Sequence, residues 1–115
     1  MPLDAALSTR YSAQLERVID GDTFIVLIHL GLGVLKRETL RLDGIDAPET
    51  RSRDANEKQT GLVAKAYVSA SLADASCIHV EAKCHGKFGR LIANVFLKNA
   101  STSLNEEMIR LGYAF

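Results

Sequence analysis

From Tyr11 onward the apolar and β-branched residues come in runs that suit strands. YSAQLERVI and TFIVLIHL are separated by Asp20-Gly21-Asp22, a combination that favours a tight turn between neighbouring strands. LGLG then divides TFIVLIHL from VLKRETLRLDGI, a third strand, and three strands in succession predict an antiparallel meander. Arg51 to Lys58 is charged and lacks apolar periodicity, which predicts a loop. Beyond it Leu62, Val63, Ala66, Tyr67, Ala70 and Leu72 recur at helical spacing, with Thr60 as cap, and predict a helix of about a dozen residues. In CIHVEAKC, Ile78, Val80 and Ala82 alternate with His79, Glu81 and Lys83, the pattern of a half-buried strand. Gly86 and Gly89 bracket a turn, LIANVFL reads as a fifth strand, and Ser103 to Leu111 carries Leu104, Met108 and Leu111 as a short amphipathic helix closed by Gly112.

Three strands, a helix, two strands and a second helix define an α+β, mainly β, architecture. Its simplest closure is a five-stranded Greek-key barrel of the oligonucleotide/oligosaccharide-binding type, with one helix after strand 3 and a short one after strand 5. A chain of 115 residues fits one domain of common size. We place that domain at residues 11–115 and expect residues 1–10 to be flexible. The opening MPLDAALSTR has no basic region followed by an apolar run, and no stretch is long enough to span a bilayer. The expectation is a soluble protein with no membrane partner, cytoplasmic unless a leader has been removed.

Charge narrows the chemistry. Fourteen basic and fourteen acidic residues balance, so the global basic field typical of nucleic-acid binders is missing and any polyanion must be held locally. Cys77 and Cys84 sit at the two ends of one predicted strand, roughly 23 Å apart at about 3.3 Å per residue, too far for a disulfide. Cys84-His85 is half of a zinc site at most, because His29 and His79 stand at strand positions without companions.

RLDGIDAPE, Arg41 to Glu49, gathers an arginine and three carboxylates into one strand end. A turn serving only the fold needs far less charge. If the first three strands pair, Asp22 and Asp46 lie at one end of the sheet, and two carboxylates with a backbone carbonyl and waters suit a hard cation such as calcium or magnesium. Asp-Gly pairs are also ordinary turn chemistry. Leu40 and Leu42 share one face, which places Arg41 on the opposite side, expected to face the barrel interior. A planar fork there suits bidentate phosphate capture; the bland alternative is an ion pair with Asp43 or Glu49. Glu49 follows Pro48, whose fixed φ stiffens the loop and helps aim the carboxylate at a water. Arg90, after the glycine turn of GKFGR, adds a second guanidinium. A cation, a carboxylate base and two guanidiniums are together the parts needed to cleave a phosphodiester.

Three of these segments, VIDGDTF, RLDGIDAPE and KFGR, resemble the signature segments of the staphylococcal nuclease (thermonuclease) family in order and spacing, and LNEEMIRLGYA is similar to its late helix. The similarity runs from about Tyr11 to Phe115. It implies that Asp22 and Asp46 bind Ca2+ through side chains and Ala47 through its carbonyl, that Arg41 and Arg90 hold the scissile phosphate, that Glu49 is the general base, and that Lys87 faces a second phosphate. It also implies the same five-stranded barrel and hydrolysis of DNA and RNA, single-stranded or locally unpaired regions favoured, leaving 3′-phosphate ends. The chain departs from the family pattern at Phe88, where a tyrosine hydroxyl often helps bind phosphate. It also stops at Phe115, where well-known members continue into a further helix. The hairpin Leu30 to Leu35 is longer and more apolar than the family norm, and such a tip can mark a homodimer contact. Two competing readings are a non-catalytic module binding nucleic acid or protein, and a domain merely stapled by a cation.

Overall fold

The computed structural model describes residues 10–73, 78–97 and 100–115. In chain order the elements are β1 (Arg10–Asp20), β2 (Thr23–Gly31), β3 (Val34–Leu42), α1 (Ala55–Ala73), β4 (Ile78–His85), β5 (Leu91–Leu97) and α2 (Leu104–Arg110). The strands close into a barrel in the order β1-β2-β3-β5-β4. β1, β2 and β3 form the expected antiparallel meander. Closure depends on β1, whose first residues Arg10 to Ala13 pair with β4 while the rest pairs with β2. Two register shifts, between Leu15 and Arg17 and between Val18 and Asp20, give β1 the bends that let one strand serve both neighbours. The seam is a short parallel contact between β3 and β5, from Leu40, Arg41 and Leu42 to Leu91, Ile92 and Ala93.

Alternation decides what fills the barrel. Phe24, Val26 and Ile28 of β2, Leu40 and Leu42 of β3, Ile78, Val80 and Ala82 of β4 and Leu91, Ala93 and Val95 of β5 are all buried. Each large apolar side chain so enclosed stabilises the fold by about 1.5–3 kcal/mol. The core continues into α1 through Ala64, Val68 and Leu72 and into α2 through Leu104 and Met108. Ser103 caps α2, accepting a hydrogen bond from the Glu106 amide, and Tyr67 of α1 stacks on Tyr113 beyond α2 with ring centroids 4.6 Å apart.

Several expectations need correction. α1 begins at Ala55, inside the segment expected to be a loop, and Thr60 is not its cap: the Thr60 hydroxyl donates to the Asn56 carbonyl one turn back, within the helix. The cap is Asp54, whose Oδ1 accepts from the Asn56 and Glu57 amides at 2.9 and 3.4 Å. The first turn of α1 is polar and exposed, so it carries no apolar signal. The buried face is also different, running through Gly61, Ala64, Val68 and Leu72, while Leu62, Val63, Ala66 and Ala70 are exposed. Small residues mark the start of the face because α1 lies so close to the loop after β3: a Cβ on Gly61 would sit 2.7 Å from the Pro48 carbonyl oxygen. β3 ends at Leu42, and the following Asp43-Gly44-Ile45 is a turn and connection, with Gly44 in the left-handed region at φ 75°. Cys77 and residues 1–9 lie outside the described residues, while Cys84 is a free, exposed thiol.

Candidate active site

The β1–β2 turn and the segment after β3 meet at one end of the barrel, tied together by backbone. The Leu42 amide donates to the Asp22 carbonyl at 2.9 Å, and the Asp43 amide to the Ala93 carbonyl at 2.9 Å. Asp46 exchanges both of its backbone groups with Phe115, at 2.7 and 2.9 Å, so the C-terminal residues hold the loop like an added strand. Gly21 lets the turn approach: a Cβ there would lie 2.9 Å from Ala64 Cβ and 3.0 Å from Ala47 Cβ.

On this frame the side chains converge. Asp22, only 8% exposed, receives the Ala47 amide on Oδ2 at 3.0 Å and the Thr23 hydroxyl on Oδ1 at 2.9 Å. Arg41 Nη2 lies 3.3 Å from the same Asp22 Oδ2 and also pairs with Asp46 Oδ1, while Nη1 donates to the Ile45 carbonyl at 3.0 Å and the Leu42 carbonyl at 3.2 Å. Two carboxylates from two turns thus share one guanidinium nitrogen. The Asp22 side of this arrangement is buried and costly to break one partner at a time, whereas the Asp46 side chain is 68% exposed and its pair with Arg41 is screened by solvent.

The surroundings of Arg41 differ from the expectation in two respects. Leu40 and Leu42 occupy the core, so Arg41 stands on the outer face of the barrel, not in its interior; its side chain keeps 22% exposure. The expected interior position fails on sidedness, since the apolar neighbours themselves define the inside. Its ion-pair partners are Asp22 and Asp46 rather than Asp43 or Glu49. Asp43 is engaged by Lys83 at 2.8 Å, and that hydrogen bond, with the attraction between the two charges, holds the lysine above its ordinary pKa.

Arg90 precedes β5, the strand adjacent to β3. Arg41 is in register with Ile92, so the Arg90 backbone lies two residues, roughly 7 Å, back along the chain from the residue paired with Arg41. The Arg90 side chain is held loosely, donating from Nε to the Lys87 carbonyl at 3.4 Å, with its guanidinium 5.8 Å from the Phe88 ring centroid. Phe88 is 93% exposed and left-handed at φ 61°. The Lys87 ammonium beside it has no partner among the described residues.

Glu49 is exposed, and its carboxylate likewise has no partner among the described residues. Its backbone is nonetheless fixed. Asp20 Oδ1 accepts from both the Thr50 amide, at 3.0 Å, and the Thr50 hydroxyl, at 2.7 Å, while Gly61 of α1 abuts the Pro48 and Glu49 carbonyls from the other side. From sequence Asp20 reads only as a turn residue; the hydroxyl one position beyond Glu49 is the signal that could have found its role. Sequence reasoning also misses Asn105. Buried on α2, it accepts from the Val95 amide at 3.1 Å and donates to the Asp43 carbonyl at 2.9 Å and the Ala93 carbonyl at 3.2 Å, joining helix, β5 and the site-bearing turn. A carboxamide beside Leu104 on a buried helix face is its sequence trace.

The metal-ligating atoms that Asp22 and Asp46 themselves offer are carboxylate oxygens, here engaged by the Ala47 amide, the Thr23 hydroxyl and Arg41, and among the described residues no group of three His, Cys, Asp or Glu side chains is arranged to hold a metal. A closed zinc-type cage therefore has no counterpart among the described residues, whereas a hard cation held by two carboxylates, a carbonyl and waters matches the oxygen donors present.

A small closed barrel with an acid-and-arginine cluster at one end defines the class, and comparison with known proteins gives the family. The family model described as staphylococcal nuclease homologue matches residues 39–115, more than half of the chain, and the protein belongs to this family. It is 31% identical over 120 residues to the "Endonuclease YhcR" of Bacillus subtilis, covering 98% of this chain but 9% of that protein. It is 30% identical over 125 residues to the uncharacterized protein MJ1439 of Methanocaldococcus jannaschii, covering 90% of this chain and 58% of that protein. The chain thus spans a small part of the first relative and somewhat over half of the second. No helix among the described residues is long and apolar enough to cross a membrane.

Proposed function

We propose that this chain is a calcium-dependent nuclease that hydrolyses phosphodiester bonds of DNA and RNA with little sequence preference and leaves 3′-phosphate ends. One observation carries the reading: Asp22 and Asp46 meet on a single nitrogen of Arg41, beside a fixed loop whose Glu49 has no partner among the described residues. Membership of the nuclease family and the endonuclease named among its relatives support the same class of chemistry.

Asp22 and Asp46 would hold the ion, with the Ala47 carbonyl. When bound, Ca2+ supplies positive charge that offsets the charge developing on the phosphoryl oxygens. Arg41 and Arg90 grip the non-bridging oxygens of the scissile phosphate, where a planar fork is stronger and more directional than an ammonium. Glu49 accepts a proton from water as its oxygen bonds to phosphorus. The bond from phosphorus to the 5′ oxygen breaks, and that oxygen takes a proton from solvent as it leaves, so the phosphate stays on the 3′ side. Lys87 holds a neighbouring phosphate. Phe88 cannot donate the hydrogen bond of a tyrosine there, which weakens substrate binding by about 1 kcal/mol without touching the reacting atoms. None of these groups reads a base edge, hence the low sequence preference, and unpaired strands reach the cluster more easily than a stiff duplex.

Incubating the purified chain with plasmid and single-stranded DNA over a calcium titration, with a chelator control, tests the proposal. Cleavage should require calcium and collapse in Glu49→Gln while DNA binding persists. No cleavage by the parent chain at any calcium concentration sinks it.

A non-catalytic binding module is the second reading, favoured by the engagement of Arg41 with Asp22 and Asp46 and two carbonyls, which leaves its guanidinium occupied. Binding without cleavage in the same assay selects it; calcium raising the melting temperature with neither binding nor cleavage selects a purely structural staple. We further propose a homodimer through the 30–35 hairpin, whose Leu30, Leu32, Val34 and Leu35 are exposed. Light scattering over a concentration series should show a dimer, and a monomer throughout removes that proposal.

A further inference from the structure

A cavity adjoins the loop that carries Glu49. It measures about 190 Å³ and is lined by Arg17, Val18 and Ile19 of β1, Thr50 and Arg51 of the loop, and Lys65 of α1. Three cations from three separate parts of the fold therefore face one space. None of the three has an ion-pair or hydrogen-bond partner among the described residues, although the chain as a whole has as many acids as bases. Of the two carboxylates nearest Arg17 in sequence, one points away and the other, at the cavity wall, is bonded to Thr50 and not to any of the three cations. Glu16 is held by Arg37 at 2.7 Å and feels Arg17 only through its charge, and Asp20 is held by Thr50. Three like charges left around a shared space repel one another, and an anion placed among them removes that repulsion. At about 30 Å³ per water, the cavity has room for roughly six waters, or for one phosphate group with part of its hydration.

We propose that Arg17, Arg51 and Lys65 form a phosphate subsite for the strand of nucleic acid, distinct from Arg41, Arg90 and Lys87, the cations of the proposed mechanism. The proposal deepens the nuclease reading and rests on it for the identity of the anion. Thr50 belongs both to this cavity and to the loop that follows Glu49, so a strand entering the acid cluster continues past Thr50 into the basic cavity. The subsite gives a neutral protein the local grip on a polyanion that its overall charge denies it, and it selects strands longer than a dinucleotide, because a short substrate fills the acid cluster without reaching it.

Binding without turnover provides the test. In a Glu49→Gln background, the Kd of a labelled single strand of about 20 nucleotides is measured by fluorescence anisotropy over a salt series, with and without Arg17→Gln, Arg51→Gln and Lys65→Gln together. The triple change should weaken binding by about 10- to 100-fold at low salt and flatten the dependence of log K on log[salt] by about 1 to 2, near 0.7 per lost phosphate contact. Affinity for a dinucleotide should stay the same. Arg51→Gln alone, an exposed loop position, provides a variant whose folding is not in question and should show part of the change. An unchanged slope in folded protein, equal losses for the dinucleotide and the long strand, or no strand binding by the parent overturns the subsite. Strand binding with the expected slope change but no cleavage by the chain without the Glu49 change leaves the subsite standing and removes the nuclease reading instead.

Discussion

At one end of the β2–β3 hairpin Thr23 faces Arg41, and Asp22 beside it is buried among an amide, a hydroxyl and a guanidinium; at the other, His29 faces Leu35, and Leu30, Leu32, Val34 and Leu35 stand in solvent. The two strands are the same and pair antiparallel at both ends, with one register shift at the far end between His29 and Gly31. What differs is the third partner. At the near end β3 joins β5 over Leu40 to Leu42, and the turns are roofed by α1 and α2. The far half of β3 pairs with β2 alone, so its apolar residues have nothing to bury against. Polar contacts steady it instead, from Arg37 across β2 to Glu16 of β1 and from Lys36 to Glu38 along the same strand. A strand end thus has two uses: charge is concentrated where neighbours can hold it in place, and apolar surface remains where they cannot.

That contrast makes substitutions at the near end costly and those at the far end nearly silent. If the proposed mechanism holds, Arg41→Ala should lower cleavage by about 10²- to 10³-fold, because that mechanism has Arg41 offset charge on the scissile phosphate. It should also lower the melting temperature, because it strips one of the partners from the buried Asp22; steady-state kinetics and calorimetry read the two effects, and a variant with normal turnover breaks the assignment of Arg41. Asn105→Ala should destabilise by about 2–3 kcal/mol, since the Val95 amide and the Asp43 carbonyl lose the carboxamide inside the protein, while the Ala93 carbonyl keeps the Asp43 amide. Chemical denaturation measures it. Thr50→Val should reduce kcat by about 10-fold with little change in KM, by loosening the loop that aims Glu49, and Thr50→Ser should restore it. Equal loss in both variants would show that the hydroxyl bond to Asp20 does not position the carboxylate.

At the far end, Leu32→Asn should change stability by less than about 0.5 kcal/mol, because asparagine tolerates the left-handed backbone that Leu32 adopts at φ 55° and its fully exposed side chain leaves little packing to lose. The same change should weaken self-association in light scattering, and a large loss of stability would mean that the tip is packed after all. The smallest effect concerns pH. The hydrogen bond from Arg37, aided by its charge and that of Arg17, holds Glu16 below its ordinary value of 4.5. A depressed folded value makes a contribution that is present above the unfolded value and lost as the pH falls through the folded one. Glu16→Gln should therefore slightly flatten the acid limb of a melting-temperature profile below about pH 5, and added salt should shrink the difference, since the pair is solvent-exposed.

Much of the fold was legible because strand alternation and turn residues are local properties. β5 at Leu91–Leu97 matches its apolar run, and the buried positions of β4 match its alternation. α2 is marked by Ser103, Leu104, Met108 and Gly112, in the order that cap, core and terminator require. α1 is harder: its polar first turn carries no periodic signal, and its buried face opens with Gly61 and Ala64 because the Pro48–Glu49 loop and the β1–β2 turn lie too close for larger side chains. Of the site, the sequence showed which residues carry the charge, since Asp22, Arg41, Asp46 and Glu49 stand out by type and spacing. Which carboxylate meets which guanidinium was not visible there.

By itself the sequence determined the strands, their turns and the inventory of acids and bases, because these depend on neighbours a few residues away. The tertiary structure alone decided that Arg41 lies outside the barrel between two aspartates, that Asp20 secures Thr50 from 30 residues away, and that three cations from separate elements share one cavity. The physical reason is that side-chain charge acts through space over a few ångströms, and only closure of the barrel sets those distances.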